Sequence, residues 1–160
     1  MTVKEYNFCV REYSDNIYRF VLKHIRNEAL AEDVIQDVFE KVWLKVSDVS
    51  FEKAKSYLFQ AAYNRMIDVI RKENRQARWK TESEAKVVYQ PQVDAKQIID
   101  QALERLPEIQ QSVILLRDYE GYSYEEIGEI LELNESQVKV YIFRARKTLK
   151  QYLSRLELIV

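Results

Sequence analysis

Two glycines and two prolines in 160 residues fall far short of average usage, which would supply about 11 and about 8. A chain so poor in turn-formers does not build a β-sandwich or barrel, whose strands reverse at Gly, Asn-Gly or Pro. Nor can it form a GxGxxG or GxxxxGK phosphate loop. Cysteine and histidine are equally scarce. Cys9 has no partner for an internal disulfide, and with His24 as the one histidine there is too little soft-ligand chemistry for a zinc or haem site. No motif links either side chain to a nucleophile or base, so an enzyme is the weakest reading, and no catalytic residue, metal or cofactor is expected. Long apolar runs are missing as well. The longest, such as Val113-Ile114-Leu115-Leu116, cover four residues, so neither a transmembrane span nor a secretory signal peptide is expected. An all-α protein of the reducing cytoplasm remains.

Excess charge of one sign is also lacking. A net charge of −1 argues weakly against a nucleic-acid binder, whose usual footprint is basic. Its distribution is more informative. Residues 28–40 hold five acids and no base; residues 65–80 hold six bases against Asp68 and Glu73. Acids dominate again over 118–135, and residues 136–156 hold six bases and no acid. Two basic bands suited to phosphates alternate with acidic stretches suited to a protein partner.

Apolar residues recur at helical steps through Tyr6, Val10, Tyr13, Ile17, Phe20 and Val21. Further helices are expected from near Ala29 and Lys55, with a connection of mixed polarity over residues 46–53. Residues 76–97 lose clear periodicity and carry Pro91, as a linker does. The division is thus 1–75, linker 76–97 and 98–160: two small helical domains. In the second, Pro107 separates a short helix from one that ends at Gly121. Ser123 with Glu126, and Asn134 with Gln137, have the spacing of capping boxes. Two helices about three residues apart, the second long and basic, outline a helix-turn-helix.

Three faces are candidates for function. Over residues 29–43, Val34, Ile35, Val38, Phe39, Val42 and Trp43 fall on one arc, opposite Asp33, Gln36, Asp37 and Glu40. Unpaired carboxylates repel one another on a helix, so this arc is either a solvated face or a dock for a basic partner. Over residues 57–75, Phe59, Ala62, Tyr63, Met66, Ile67 and Ile70 form the core arc. Tyr57, Gln60, Asn64, Arg65, Asp68, Arg71, Lys72 and Arg75 form the outer one. A ring, amides and guanidinium groups on one face suit single-stranded nucleic acid, although an ordinary surface helix has the same composition. On the last helix Val138, Ile142, Ala145 and Leu149 point inward, leaving Ser136, Gln137, Lys139 and Tyr141 for base edges and Arg144, Arg146 and Lys147 for phosphates. The alternative there is an acidic hairpin whose basic tail docks on protein.

These residues also carry a family resemblance. Leu106-Pro107, Gly121-Tyr122-Ser123-Tyr124-Glu125-Glu126-Ile127, Val138-Lys139 and Phe143-Arg144-Ala145-Arg146-Lys147-Thr148-Leu149 resemble region 4 of extracytoplasmic-function sigma factors in the bacterial sigma-70 family. Residues 31–39 and 57–68 are similar to region 2. The resemblance implies a non-enzymatic bacterial specificity subunit that directs core RNA polymerase to promoter DNA. Asp33, Gln36, Asp37 and Glu40 would meet the polymerase clamp helices. Residues 48–56 would form a pocket for a flipped base, and the 57–75 helix would hold the −10 strand. Ser136, Gln137, Lys139 and Tyr141 would read the −35 duplex. An anti-sigma factor is a common partner in this family. Three features depart from its pattern: Glu132 replaces a turn glycine, the pair Val140-Tyr141 a frequent Ser-Arg pair, and Tyr57 a common Trp. A stand-alone helix-turn-helix regulator of operator DNA is the competing reading. It would leave the acidic arc and the strand-facing helix without a role.

Overall fold

A computed structural model describes residues 1–79 and 95–159. Helices α1 (Val3–Ile25), α2 (Glu28–Leu44) and α3 (Ala54–Trp79) form one set. Helices α4 (Ala95–Glu104), α5 (Glu108–Ile114), α6 (Tyr124–Leu131) and α7 (Glu135–Ile159) form the other. No strand occurs among the described residues. The expected linker falls mostly outside them, and its two ends, up to Trp79 and from Ala95, continue the flanking helices.

The helix ends follow the local chemistry. Thr2 caps α1 by accepting from the Glu5 amide, and Asn27 caps α2 by accepting from the Leu30 amide. Both expected capping boxes form: Ser123 and Glu126 exchange bonds at 3.1 Å, and Asn134 and Gln137 at 2.8 and 3.0 Å. Gly121 ends its segment at φ 73°. Glu132 takes the left-handed conformation, φ 58°, that the family's turn glycine would adopt without strain. One element is unexpected. The segment after Pro107 is no uniform helix to Glu120, because Leu115–Tyr119 winds as a π turn. Its wider loop brings Asp118 within 2.6 Å of Arg146 on α7.

The two sets share a single core. Ile17, Phe20, Val34, Val38, Leu58, Phe59 and Met66 are buried in the first set, and Leu103, Leu116, Ile127, Val138 and Ile142 in the second. Tyr122 joins them by packing edge-on against Phe59, 5.2 Å between centroids, and Phe59 contacts Phe20 at 6.1 Å. A ladder of opposite charges surrounds this contact. Arg19 and Lys23 on α1, with Arg26 that caps its end, meet Glu120 at 3.1 Å, Asp100 at 2.9 Å and Glu104 at 2.5 Å. His24 lies inside the seam, against the Phe20 ring and 3.1 Å from Ser112 Oγ. Burial, with the nearby Arg26 charge, pushes its pKa down to about 3.

Candidate nucleic-acid interface

The acidic arc of α2 is only partly free. Asp33, Gln36 and Glu40 face solvent, whereas Asp37 is half-buried between Arg65 Nε at 2.9 Å and Lys41 Nζ at 3.2 Å. An expected polymerase contact is therefore paired with an expected strand contact. The apolar arc differs at one position: Trp43 is exposed, its ring lying over Tyr6 at 5.0 Å, and Leu44 beside it is 78% exposed. The acidic face thus ends in an uncovered apolar tip.

On α3, Tyr57, Asn64, Arg65, Asp68, Arg71, Lys72 and Arg75 are exposed as expected. A groove of about 440 Å³ between α2 and α3 gathers Asp37, Tyr57, Asn64, Arg65 and Asp68. It offers a ring, an amide and a guanidinium group in one hollow, the combination that accepts an unstacked base and its phosphate. A second hollow further along α3 is lined by Asp68, Arg71, Asn74 and Arg75. Gln60 is different. It is half-buried, and its amide donates to Glu132, the residue that ends α6, at 2.6 Å.

The expected pocket loop is pinned rather than open. Two 3₁₀ turns, Val46–Asp48 and Phe51–Lys53, bracket buried Val49, and the Met1 amino group donates to the Val46 and Val49 carbonyls at 2.7 Å each. Phe51 stays exposed against Phe8, 5.7 Å between centroids. At the loop's end Ser56 Oγ donates to Glu129 of α6 at 3.0 Å.

On α7, Ser136, Gln137, Lys139, Arg144 and Arg146 are exposed. Gln137 spends its carbonyl oxygen on the Asn134 amide, and Arg146 is held by Asp118, whose bond raises the guanidinium pKa further. Tyr141 does not join them. It is half-buried against the core, about 60° round the helix from Val138 at 100° per residue. The exposed aromatic is Phe143, 69% accessible, beside a hollow of about 480 Å³ lined also by Tyr124, Lys139, Arg146, Lys147 and Lys150. Ser136, Lys139, Phe143, Lys147 and Lys150 form a continuous stripe at three- and four-residue steps. Sequence reasoning overlooked Phe143 and Lys150 here, although both stand opposite Val138, Ile142 and Ala145.

This two-faced arrangement has close relatives. Residues 9–76 match the family model for sigma-70 region 2, and residues 96–149 match that for sigma-70 region 4. The chain is a sigma-70 family member of the extracytoplasmic-function group. It is 28% identical over 149 residues to the ECF RNA polymerase sigma factor SigM of Bacillus subtilis, covering 89% of this chain and 91% of SigM. It is also 28% identical to SigW of the same organism, covering 88% and 84%. Among solved structures, the sigma factor RpoE in its complex with the anti-sigma factor NepR from Bartonella quintana superimposes with a TM-score of 0.77 at 25% identity. That match covers 95% of this chain and 98% of the other.

Proposed function

We propose that this sigma factor directs core RNA polymerase to promoters in the bacterial cytoplasm, contributing specificity and no catalytic step of its own. The observation that carries the proposal is the presence of two separate nucleic-acid-suited faces of different chemistry, on α3 and α7, in the two segments that match the two sigma-70 regions. The α3 face, with Tyr57, Asn64, Arg65, Asp68, Arg71, Lys72 and Arg75 around its grooves, suits a single strand at the −10 element. Unstacking a base there costs a few kcal/mol, which stacking and pocket contacts offset. The α7 stripe suits the −35 duplex. Ser136, Gln137 and Lys139 lie at the helix N-terminus, where a recognition helix enters the major groove, and Arg144, Lys147 and Lys150 lie where phosphates flank it. Phe143 takes the apolar contact with a thymine methyl that Tyr141, turned inward, does not make.

Asp33, Gln36 and Glu40 carry polymerase binding, with Leu44 as an apolar anchor at the end of the same face. Asp37 supports it indirectly by fixing Arg65. Run-off transcription with bacterial core polymerase on a library of promoter fragments tests the whole assignment. Promoter-specific transcripts are expected. Failure to form a holoenzyme, or tight duplex binding without polymerase, would overturn it in favour of a stand-alone regulator.

A further inference from the structure

One residue of the strand-facing arc has the wrong sign for a polyanion. Asp68 is the one carboxylate on that arc, and Arg65, Arg71 and Lys72 stand three or four residues from it on the same helix. None of them neutralises it. Arg65 turns to Asp37 at 2.9 Å instead, and Asp68 has no hydrogen-bond or ion-pair partner among the described residues. Asn64, one turn before it, is exposed and equally unpartnered among them.

The two side chains stand where a base would lie. Tyr57, Ala61, Asn64 and Asp68 follow one another at three- and four-residue steps, so they share one side of α3. All four line the hollow of about 440 Å³, and Ala61, between the ring and the amide, leaves it open. Asp68 also lines the next hollow, with Arg71, Asn74 and Arg75. Cations able to hold phosphates therefore lie on either side of the pair. A free carboxylate among them repels phosphate and weakens binding that ignores sequence, so what it offers a strand is an acceptor for the N–H groups of a base. Unpaired guanine suits it best. On the Watson–Crick edge of guanine, N1–H and the N2 amino group stand side by side and one carboxylate accepts from both, while O6 accepts from the Asn64 amide. Adenine and cytosine present an amino group beside a ring nitrogen that itself accepts. Thymine presents its N–H between carbonyl oxygens, which a carboxylate repels.

We infer that Asn64 and Asp68 form a guanine-reading pair, so that the strand captured by α3 is selected for guanine at one position. This inference rests on the strand-facing role proposed for α3 and adds the base that is read. The test uses holoenzyme reconstituted with bacterial core polymerase, matched in concentration by native gel shift. The probe is a fluorescein-labelled promoter fragment recovered from the run-off library, its non-template −10 strand held open by mismatches. Each open position in turn carries one of the four natural bases or hypoxanthine, the guanine analogue that lacks the N2 amino group. Anisotropy at fixed salt is expected to show one position where guanine binds at least about 10-fold more tightly than the other natural bases, and about 5- to 10-fold more tightly than hypoxanthine. Asp68→Asn should bring guanine and hypoxanthine within about 2-fold of each other there, because an amide has a single oxygen to offer and turns its own N–H toward the second donor. A guanine preference that survives Asp68→Asn, or the lack of any position favouring guanine, overturns the pair. So does a preference for adenine or cytosine that the same variant abolishes. Tyr57→Ala with Arg71→Ala tells apart the two ways of failing. If this double variant weakens binding of every fragment while Asp68→Asn leaves the bases ranked as before, α3 holds the strand and the guanine reading is wrong. If the double variant also changes nothing, the strand-facing assignment fails and the guanine reading falls with it.

Discussion

Gly128→Ala sets two opposing effects against each other at one carbon. In an exposed helix, Ala is favoured over Gly by about 1 kcal/mol, so propensity alone predicts a gain. At residue 128, however, an added Cβ would stand 2.5 Å from the Leu133 carbonyl oxygen, with Val138 Cγ2 at 3.9 Å. An ordinary carbon–oxygen contact is about 3.3 Å, so that carbonyl must retreat by about 0.8 Å. It belongs to the peptide that enters Asn134, the residue bonded reciprocally to Gln137 at the start of α7. The Leu133 amide is tied back to the Gly128 carbonyl at 2.9 Å. Losing that bond removes about 1 kcal/mol, and overpacking a tight site removes a further 1–3. After the propensity gain is subtracted, a net loss of about 2 kcal/mol is expected, or a fall in Tm of about 4–8 °C for a chain of this size. Urea unfolding followed by helical circular dichroism measures it, with an unchanged m-value expected. Gly121→Ala is the control. Nothing lies within 4 Å of its added methyl, and only the backbone strain at φ 73° remains, about 1 kcal/mol. A Gly128→Ala protein as stable as the parent would refute the close approach as the reason for this glycine.

Further outcomes follow from the seam and the two faces. Because the folded pKa of His24 lies near 3, below the unfolded value of about 6.5, its contribution is fully present above pH 6.5 and is lost as the pH falls. Stability should drop by about 2 kcal/mol between pH 6.5 and 5, and His24→Gln should remove most of that slope in denaturant titrations at both pH values. Lys147→Ala should weaken −35 duplex binding by the holoenzyme and lower its salt slope by about 1. Phe143→Ala should relax sequence preference and leave that slope unchanged, and a changed slope would count against an apolar contact. Asp33→Arg with Gln36→Ala should weaken core polymerase binding, measured by native gel shift, without altering Tm; unchanged holoenzyme formation would refute the α2 assignment.

Much of the scaffold is legible in the sequence because its signals are local. A cap, a capping box or a left-handed residue depends on atoms within about one turn. Ser123, Asn134, Gly121 and Glu132 accordingly behave as their neighbours dictate. Inward faces were readable for the same reason, since periodicity alone sorts Val138, Ile142 and Ala145 from Lys139. What escapes is whatever depends on a partner helix. Trp43 lies on the apolar arc, yet it stays exposed with the Tyr6 ring of α1 tilted against it. Tyr141 and Phe143 are both aromatic and two residues apart, and the packing of α7 on α5 and α6 decides which is covered. The π turn adds a residue that no repeat of 3.6 encodes. Asp37 and Gln60 are sorted onto outward arcs, but nothing local reveals that Arg65 and Glu132 will claim them and that both end half-buried.

The contact of Phe20, Phe59 and Tyr122 gives the seam between the two helical sets a thermal character. Separating the two helical sets would expose the Tyr122 ring and one face of Phe59, and exposing apolar surface raises heat capacity. Attraction of this kind weakens on cooling, whereas bonds such as Lys55 to Glu126 do not share that dependence. How firmly the two sets hold together is then set partly by temperature. Cooling loosens the seam, and warming toward ordinary growth temperatures tightens it. Donor and acceptor dyes on α2 and α7, read between 5 and 35 °C, should report a shorter separation at the warmer end.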